Sequence, residues 1–199
     1  RLIDALDLRK HNGVVRCSMV HYNTLDEVDR LIAGLEKASE GDIYLGEKWM
    51  NDTPVGRRPV QLIFQSLALW PHLKVMDERG YSNLSFPLKI RMFSPAQIMD
   101  RVRGVANRVG LHPSLYGRKP EELSGGERQR VALARAMVTE SKIFLMDEPL
   151  SSLDPIARPK MRDEIRRLHD ELGATTLYVT HNVSDATTMA DRIAIMNDG

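Results

Sequence analysis

A single cysteine, Cys17, leaves the chain unable to form an internal disulfide, which suits a reducing compartment. No secretory-type segment precedes the first strand-like stretch, so a cytosolic site is expected. The six histidines show no paired metal-ligand spacing. No apolar run approaches the roughly 20 residues of a membrane-spanning helix. Runs such as Ile143 to Met146 are far too short, so any membrane association must come through a partner. Neither sign of charge is in excess: 28 basic and 27 acidic residues leave a formal charge of +1, and nothing calls for nucleic acid as a partner. Internal repeats and low-complexity segments are also missing.

What is present is a chain of 199 residues, 42% hydrophobic and 28% charged, enough for one sizeable core with a small attached subdomain. Val14 to Val20 reads as a strand, and Thr24 to Leu35 as a helix with Leu25, Val28, Leu31, Ile32 and Leu35 on one face. Thr24 and Glu27 have the spacing of a capping box. Gly41 to Leu45 and Val60 to Phe64 are further strand candidates. Between Pro71 and Pro120, Pro and Gly breaks surround an amphipathic helix from about Pro95 to Val109, the mark of an inserted helical subdomain. From Ser124 the pattern regularises: a helix to Val138, a strand Ile143 to Met146, a helix Pro155 to Leu172, and strands Thr175 to Val179 and Arg192 to Met196. Helices alternating with buried strands predict an α/β fold with a mostly parallel sheet. The expected division is residues 1–75 and 123–199 as the two parts of the core, with 76–122 as the helical subdomain.

Two stretches carry chemistry. Leu123-Ser124-Gly125-Gly126-Glu127 opens a helix that continues through Arg128-Gln129-Arg130. Ser124 can cap it, and the two glycines allow backbone N–H groups to approach an anion at the positive end of the helix dipole. An ordinary capped helix start would look the same if it stood alone. Further on, Ile143-Phe144-Leu145-Met146 delivers Asp147 and Glu148 at the C-terminal end of a strand, where open α/β sheets bind ligands. Strand alternation gives the two carboxylates different directions and so different roles. In phosphoryl transfer the first would hold Mg²⁺ and the second would orient or deprotonate the attacking water.

In this order, followed by Ser151-Ser152-Leu153-Asp154 and Thr180-His181, the motifs resemble the nucleotide-binding domain of ABC transporters, most of all the ATPase subunits of bacterial sugar importers of the maltose type. The resemblance runs from about Leu31 to Gly199 and is dense from Leu123 onward. It implies a P-loop NTPase fold binding ATP and Mg²⁺. It implies Gln65 as the glutamine that reaches toward Mg²⁺ and water, with Asp147 on the metal and Glu148 as the catalytic carboxylate. Ser124, Gly125 and Gly126 would contact the γ-phosphate of ATP held by a second copy. Asp154 would stand at the dimer interface, and His181 would contact the γ-phosphate. The implied partners are a second ATPase subunit and transmembrane permease subunits, and the implied location is the cytoplasmic face of the cell membrane, peripherally bound.

Two departures stand out. The family's phosphate-binding loop, Gly-x-x-x-x-Gly-Lys-Ser/Thr, is missing. His21-Tyr22-Asn23-Thr24 supplies neither glycine nor lysine, and Asp26, Glu27 and Asp29 place repelling charge where the triphosphate would lie. A degenerate subunit, an engineered or chimeric chain, and a misrecorded segment all remain open as origins; the intact downstream positions favour the last two. The second departure is Glu78 to Ser82, about five extra residues that read as a loop insertion. The function expected is therefore an importer motor driven by ATP. The alternatives are a regulatory or structural subunit without its own ATP site, and a soluble ATPase of DNA repair or translation, against which the near-neutral charge and the lack of a coiled-coil insertion weigh.

Overall fold

In the computed structural model the described residues are 14–19, 42, 44–45, 47–141 and 143–196. The expected helix from Thr24 to Leu35, its capping box and the altered loop around His21 lie outside them. Strand β1 (Val14–Met19) pairs in parallel with β6 (Thr175–Val179) and β7 (Arg192–Met196), Val14 facing Thr176 and Val15 facing Arg192. With β4 (Val60–Ile63) and β5 (Ile143–Asp147) they form a five-stranded sheet in the order β4-β5-β6-β1-β7. The non-sequential order is that of a crossover topology with helices between strands, as the α/β reading requires. The strand expected at Gly41 to Leu45 is half of a short antiparallel hairpin, β2 (Tyr44–Leu45) with β3 (Lys48–Trp49).

The chain divides into two units. One comprises residues 1–61, 142–145 and 173–199; the other comprises 62–141 and 146–172. The first unit buries Met50, Phe144, Tyr178 and Met189, together with Arg58, whose guanidinium donates to the carbonyls of Thr53 and Met50. The segment expected as a helical subdomain, 76–122, falls whole within the second unit, with α1 (Phe86–Ile90) and α2 (Pro95–Arg108). Helix α2 starts on a reciprocal cap, in which Gln97 N–H donates to Ser94 Oγ and Ser94 N–H to the Gln97 side chain, with Pro95 pre-set for the first turn. It ends at Gly110, whose φ of 62° is a left-handed stop that glycine adopts without cost. Its buried stripe, Ile98, Val102, Val105 and Ala106, has the expected helical period. The same unit holds α3 (Gly125–Met137) and α4 (Ala157–Leu172), joined by the Arg130–Glu164 ion pair at 3.2 Å. Helix α5 (Val183–Met189), in the first unit, was not expected: its only signal is the cap Asn182, which accepts from Asp185 N–H.

The insertion is held at both ends. Asp77 Oδ1 accepts from the N–H groups of Arg79 and Gly80 at 2.9 and 2.8 Å, and these bonds, that from Gly80 foremost, hold its carboxyl below the usual carboxylate range. Glu78 pairs with Arg103 of α2 at 2.6 Å, and Lys89 of α1 donates to the carbonyls of Arg79 and Gly80. Only the tip is a surface loop, because Ser82 and Asn83 are fully buried. Asn83 is the pin of this region. Its Oδ1 accepts from Trp70 N–H at 2.9 Å, and its Nδ2 donates to the carbonyls of Trp70, Leu73 and Lys74 at 3.1, 2.9 and 3.2 Å. Asn83→Ala takes the partner from Trp70 N–H and Leu73 O, while Trp70 O keeps the N–H of Leu73 and Lys74 O keeps the backbone N–H of residue 83, so we expect a loss of about 2 kcal/mol, with Asn83→Asp no better because it loses the donors. Urea unfolding with an unchanged m-value measures it.

Candidate functional site

Helix α3 begins as the sequence indicates. Ser124 is its N-cap, with its Oγ accepting from Glu127 N–H at 3.3 Å and its own N–H donating to the Glu127 carboxylate at 2.7 Å. Hydrogen bonds from Ser124, first its backbone and then its side chain, hold the Glu127 carboxyl below the usual carboxylate range. The glycines that follow need a separate reason. Neither has a positive φ, a Cβ on Gly126 would meet nothing within 4 Å, and one on Gly125 would meet only Leu153 at an ordinary 3.6 Å. Glycine is disfavoured in helices by up to about 1 kcal/mol, and nothing among the described residues requires it here. Glycines in the first turn of a helix leave its N–H groups unshielded by side chains, which suits an approaching anion.

Strand β5 alternates as expected through Asp147, with Phe144 and Met146 buried and Asp147 half-buried. The alternation does not carry on to Glu148. That residue has φ 41°, in the left-handed region, directly before Pro149, where extended backbone is the rule. Its direction is therefore set by a turn, not by the pleat. Ser151 closes that turn, its N–H and Oγ both donating to the Glu148 carbonyl at 3.1 and 2.9 Å. Backbone of this kind costs about 1–3 kcal/mol and persists where the surroundings hold it.

Gln65, exposed just past β4, donates from Nε2 to Glu148 Oε2 at 3.5 Å across 83 residues of sequence. Gln65, Ser124, Gly125, Gly126, Asp147, Glu148 and Asp154 all lie in the second unit, and His181 lies in the first, exposed just after β6. Asp154 works locally as well, since its Oδ1 accepts from Ile156 and Ala157 N–H at 3.0 and 2.9 Å and starts α4. Thr180, buried beside His181 in sequence, accepts from Asn182 N–H. Among the described residues no group of three metal-ligating side chains converges. Asp147 can still hold Mg²⁺, which takes one or two carboxylates and fills its remaining positions with water and phosphate.

Sequence reasoning missed Arg135. It sits in the last turn of α3, and its Nη2 donates to Leu67 O at 2.8 Å and its Nη1 to Ala68 O. Its guanidinium also lies 4.9 Å from the centre of the Trp70 ring. No spacing rule pairs a helix residue with carbonyls 67 and 68 positions upstream.

The family described as ABC transporter matches residues 28–151 of this chain. The trehalose/maltose import ATP-binding protein MalK of Thermococcus litoralis is 51% identical over 176 residues, covering 85% of this chain and 46% of that protein. The oligosaccharides import ATP-binding protein MsmX of Bacillus subtilis is 49% identical over 170 residues, again 85% of this chain and 45% of the relative. The chain thus spans less than half the length of these relatives. A solved dimeric structure of MJ0796, a bacterial ABC transporter cassette, superposes with a TM-score of 0.76 at 27% identity, covering 96% of this chain and 83% of the other.

Because its backbone is left-handed, Glu148→Gly should raise stability by about 1 kcal/mol while removing the carboxylate. Glu148→Gln, which keeps the strain, should leave stability unchanged. Thermal midpoints of the two variants check this, and equal midpoints would show that the strain is absent.

Proposed function

The chain belongs to the ABC transporter family, and on that premise we propose that it is the ATP-hydrolysing motor subunit of an importer, acting in a dimer to drive solute through membrane partners. The observation that carries the reading is the Gln65 to Glu148 contact. It brings an exposed amide to a strained carboxylate at the end of a strand, and Asp147 stands next to that carboxylate as the metal ligand. The import proteins named above support a sugar or oligosaccharide as the solute. The dimeric cassette supports pairing with a second ATPase subunit. No described helix is long and apolar enough to cross a membrane, and the proposed place is the cytoplasmic face beside transmembrane permease subunits.

In this reading ATP supplies the γ-phosphoryl group and Mg²⁺ neutralises charge on its oxygens. Asp147 and Gln65 would hold the cation. Glu148 orients the attacking water and takes its proton, work for which a fixed direction matters more than basicity. Ser124, Gly125 and Gly126 offer their donors to the γ-phosphate of ATP held by the other copy, where developing charge gains most from pre-oriented N–H groups. Asp154 would lie at the interface of the pair, and His181 would donate to the γ-phosphate. The altered segment at His21 to Thr24 lies before residue 28, where the family match begins.

Turnover of ATP with Mg²⁺ tests this in two chains: the protein as it stands, and one in which His21 to Leu25 is replaced by a Gly-rich, Lys-Ser loop. If residues His21 to Leu25 are as written, the first should bind ATP weakly and turn over negligibly, since it lacks the loop's donors and lysine. The second should bind tightly, and Glu148→Gln in it should keep binding while lowering turnover about 10²- to 10⁴-fold. A loop-bearing chain that binds ATP but turns over no faster than its Glu148→Gln variant would replace the motor with a regulatory subunit. Glu148-dependent turnover by the unaltered chain would instead show that the N-terminal residues differ from those of the sequence above.

A further inference from the structure

Two adjacent residues after Gln65 hold left-handed backbone although neither is glycine: Leu67 has φ 61° and Ala68 φ 43°. Leu67 N–H donates to Phe64 O at 2.9 Å, so Gln65 and Ser66 are the corners of a turn whose last residue, Leu67, begins the left-handed pair. Side chains with a Cβ disfavour this backbone, and a run of two needs an outside hold. The Arg135 guanidinium reaches both carbonyls; it accepts no bond itself and donates to each. Burial pushes that guanidinium below its ordinary value, a cost that a solvated arginine would not bear. Its plane is fixed from the other side by Trp70, which is in turn locked by Asn83 and by the Phe86 ring 4.5 Å away. An arginine in a last helical turn often serves its own helix carbonyls, but this one reaches away to the turn instead.

We infer that Arg135 is the positioning residue of Gln65: by forking across the Leu67 and Ala68 carbonyls it anchors the left-handed pair on which the Gln65 turn ends, and so sets the Gln65 amide against Glu148. The inference rests on the reading of Gln65 and Glu148 as members of the reacting site. It also ties the two ends of α3 to separate parts of that site, Ser124 at the start and the Gln65 turn at the finish. A lysine at 135 keeps the charge, but its single nitrogen on a shorter side chain lacks the planar pair of donors that spans the two carbonyls here.

The test does not need turnover. The side-chain NH₂ resonance of Gln65, assigned by its loss in Gln65→Glu, should move in Glu148→Gln because its acceptor changes. In Arg135→Lys it should collapse toward the position of a solvated glutamine, while the thermal transition stays cooperative. Arg135→Gln, which removes the buried charge, should give the same displacement and serves if the lysine variant does not fold. A folded Arg135 variant with the Gln65 resonance unmoved overturns the inference. In the loop-bearing chain Arg135→Lys should lower kcat about tenfold with KM for MgATP within about twofold, and should add nothing in a Gln65→Ala background. Full additivity there would also overturn it. Absence of any Glu148-dependent turnover would count against the motor reading alone, since the resonance still decides the role of Arg135.

Discussion

A guanidinium shared between the carbonyls of Leu67 and Ala68 decides where β4 delivers Gln65. Without it the chain would leave the left-handed region at two consecutive residues, and the turn that ends at Leu67 would lose the anchor that aims its first corner, Gln65. The carboxylate it meets is held by the same kind of backbone, Glu148 at φ 41° ahead of Pro149. The site is thus built from turns that the rest of the second unit over-determines, through Asn83, Trp70 and Ser151. That suits a reaction with little covalent work for the protein, in which placement and electrostatics supply most of the acceleration.

Helix α3 gives this placement a length scale. From Ser124 to Arg135 is about eleven residues, roughly 16 Å at the rise of an α-helix. One end presents unobstructed N–H groups past Gly125 and Gly126, and the other grips the turn after Gln65. On the proposed function, such a rod would carry the donors for one nucleotide and steady the amide beside another, and could pass a displacement between them. Its buried residues Val131, Ala132, Ala134 and Ala136 keep it in one packing, which is how small shifts at one end stay small and directed at the other.

The strands were legible where burial imposes a pattern. Ile143 to Met146 is an apolar run with carboxylates at its end, and it became β5 as read. Helix α2 announced itself through its amphipathic period from Pro95, and α3 through Ser124 with Glu127, because a cap is a local contract among residues three apart. Helix α5 escaped notice, being seven residues with two threonines and a single cap. Illegible for a deeper reason were the left-handed conformations of Leu67, Ala68 and Glu148. No glycine or asparagine marks them, and each is imposed by a tertiary partner or a neighbouring turn rather than by local preference. Strand alternation was therefore the wrong physical ground on which to give Glu148 a direction of its own.

What would separate this site from a capped helix and an acidic loop that happen to share a unit is the proposed service by Ser124 to Gly126 to ATP held by another copy. Mixing measures that service directly. In the loop-bearing chain, Gly126→Asp spoils the helix start and Glu148→Gln spoils the carboxylate, so each variant alone should be inactive. Random pairing of equal amounts makes half of the pairs mixed, and each mixed pair keeps one of its two sites whole, so the mixture should recover about a quarter of the parental turnover. If the helix start served its own copy's nucleotide, every site in the mixture would carry a defect, and no recovery at any ratio would contradict the arrangement in trans.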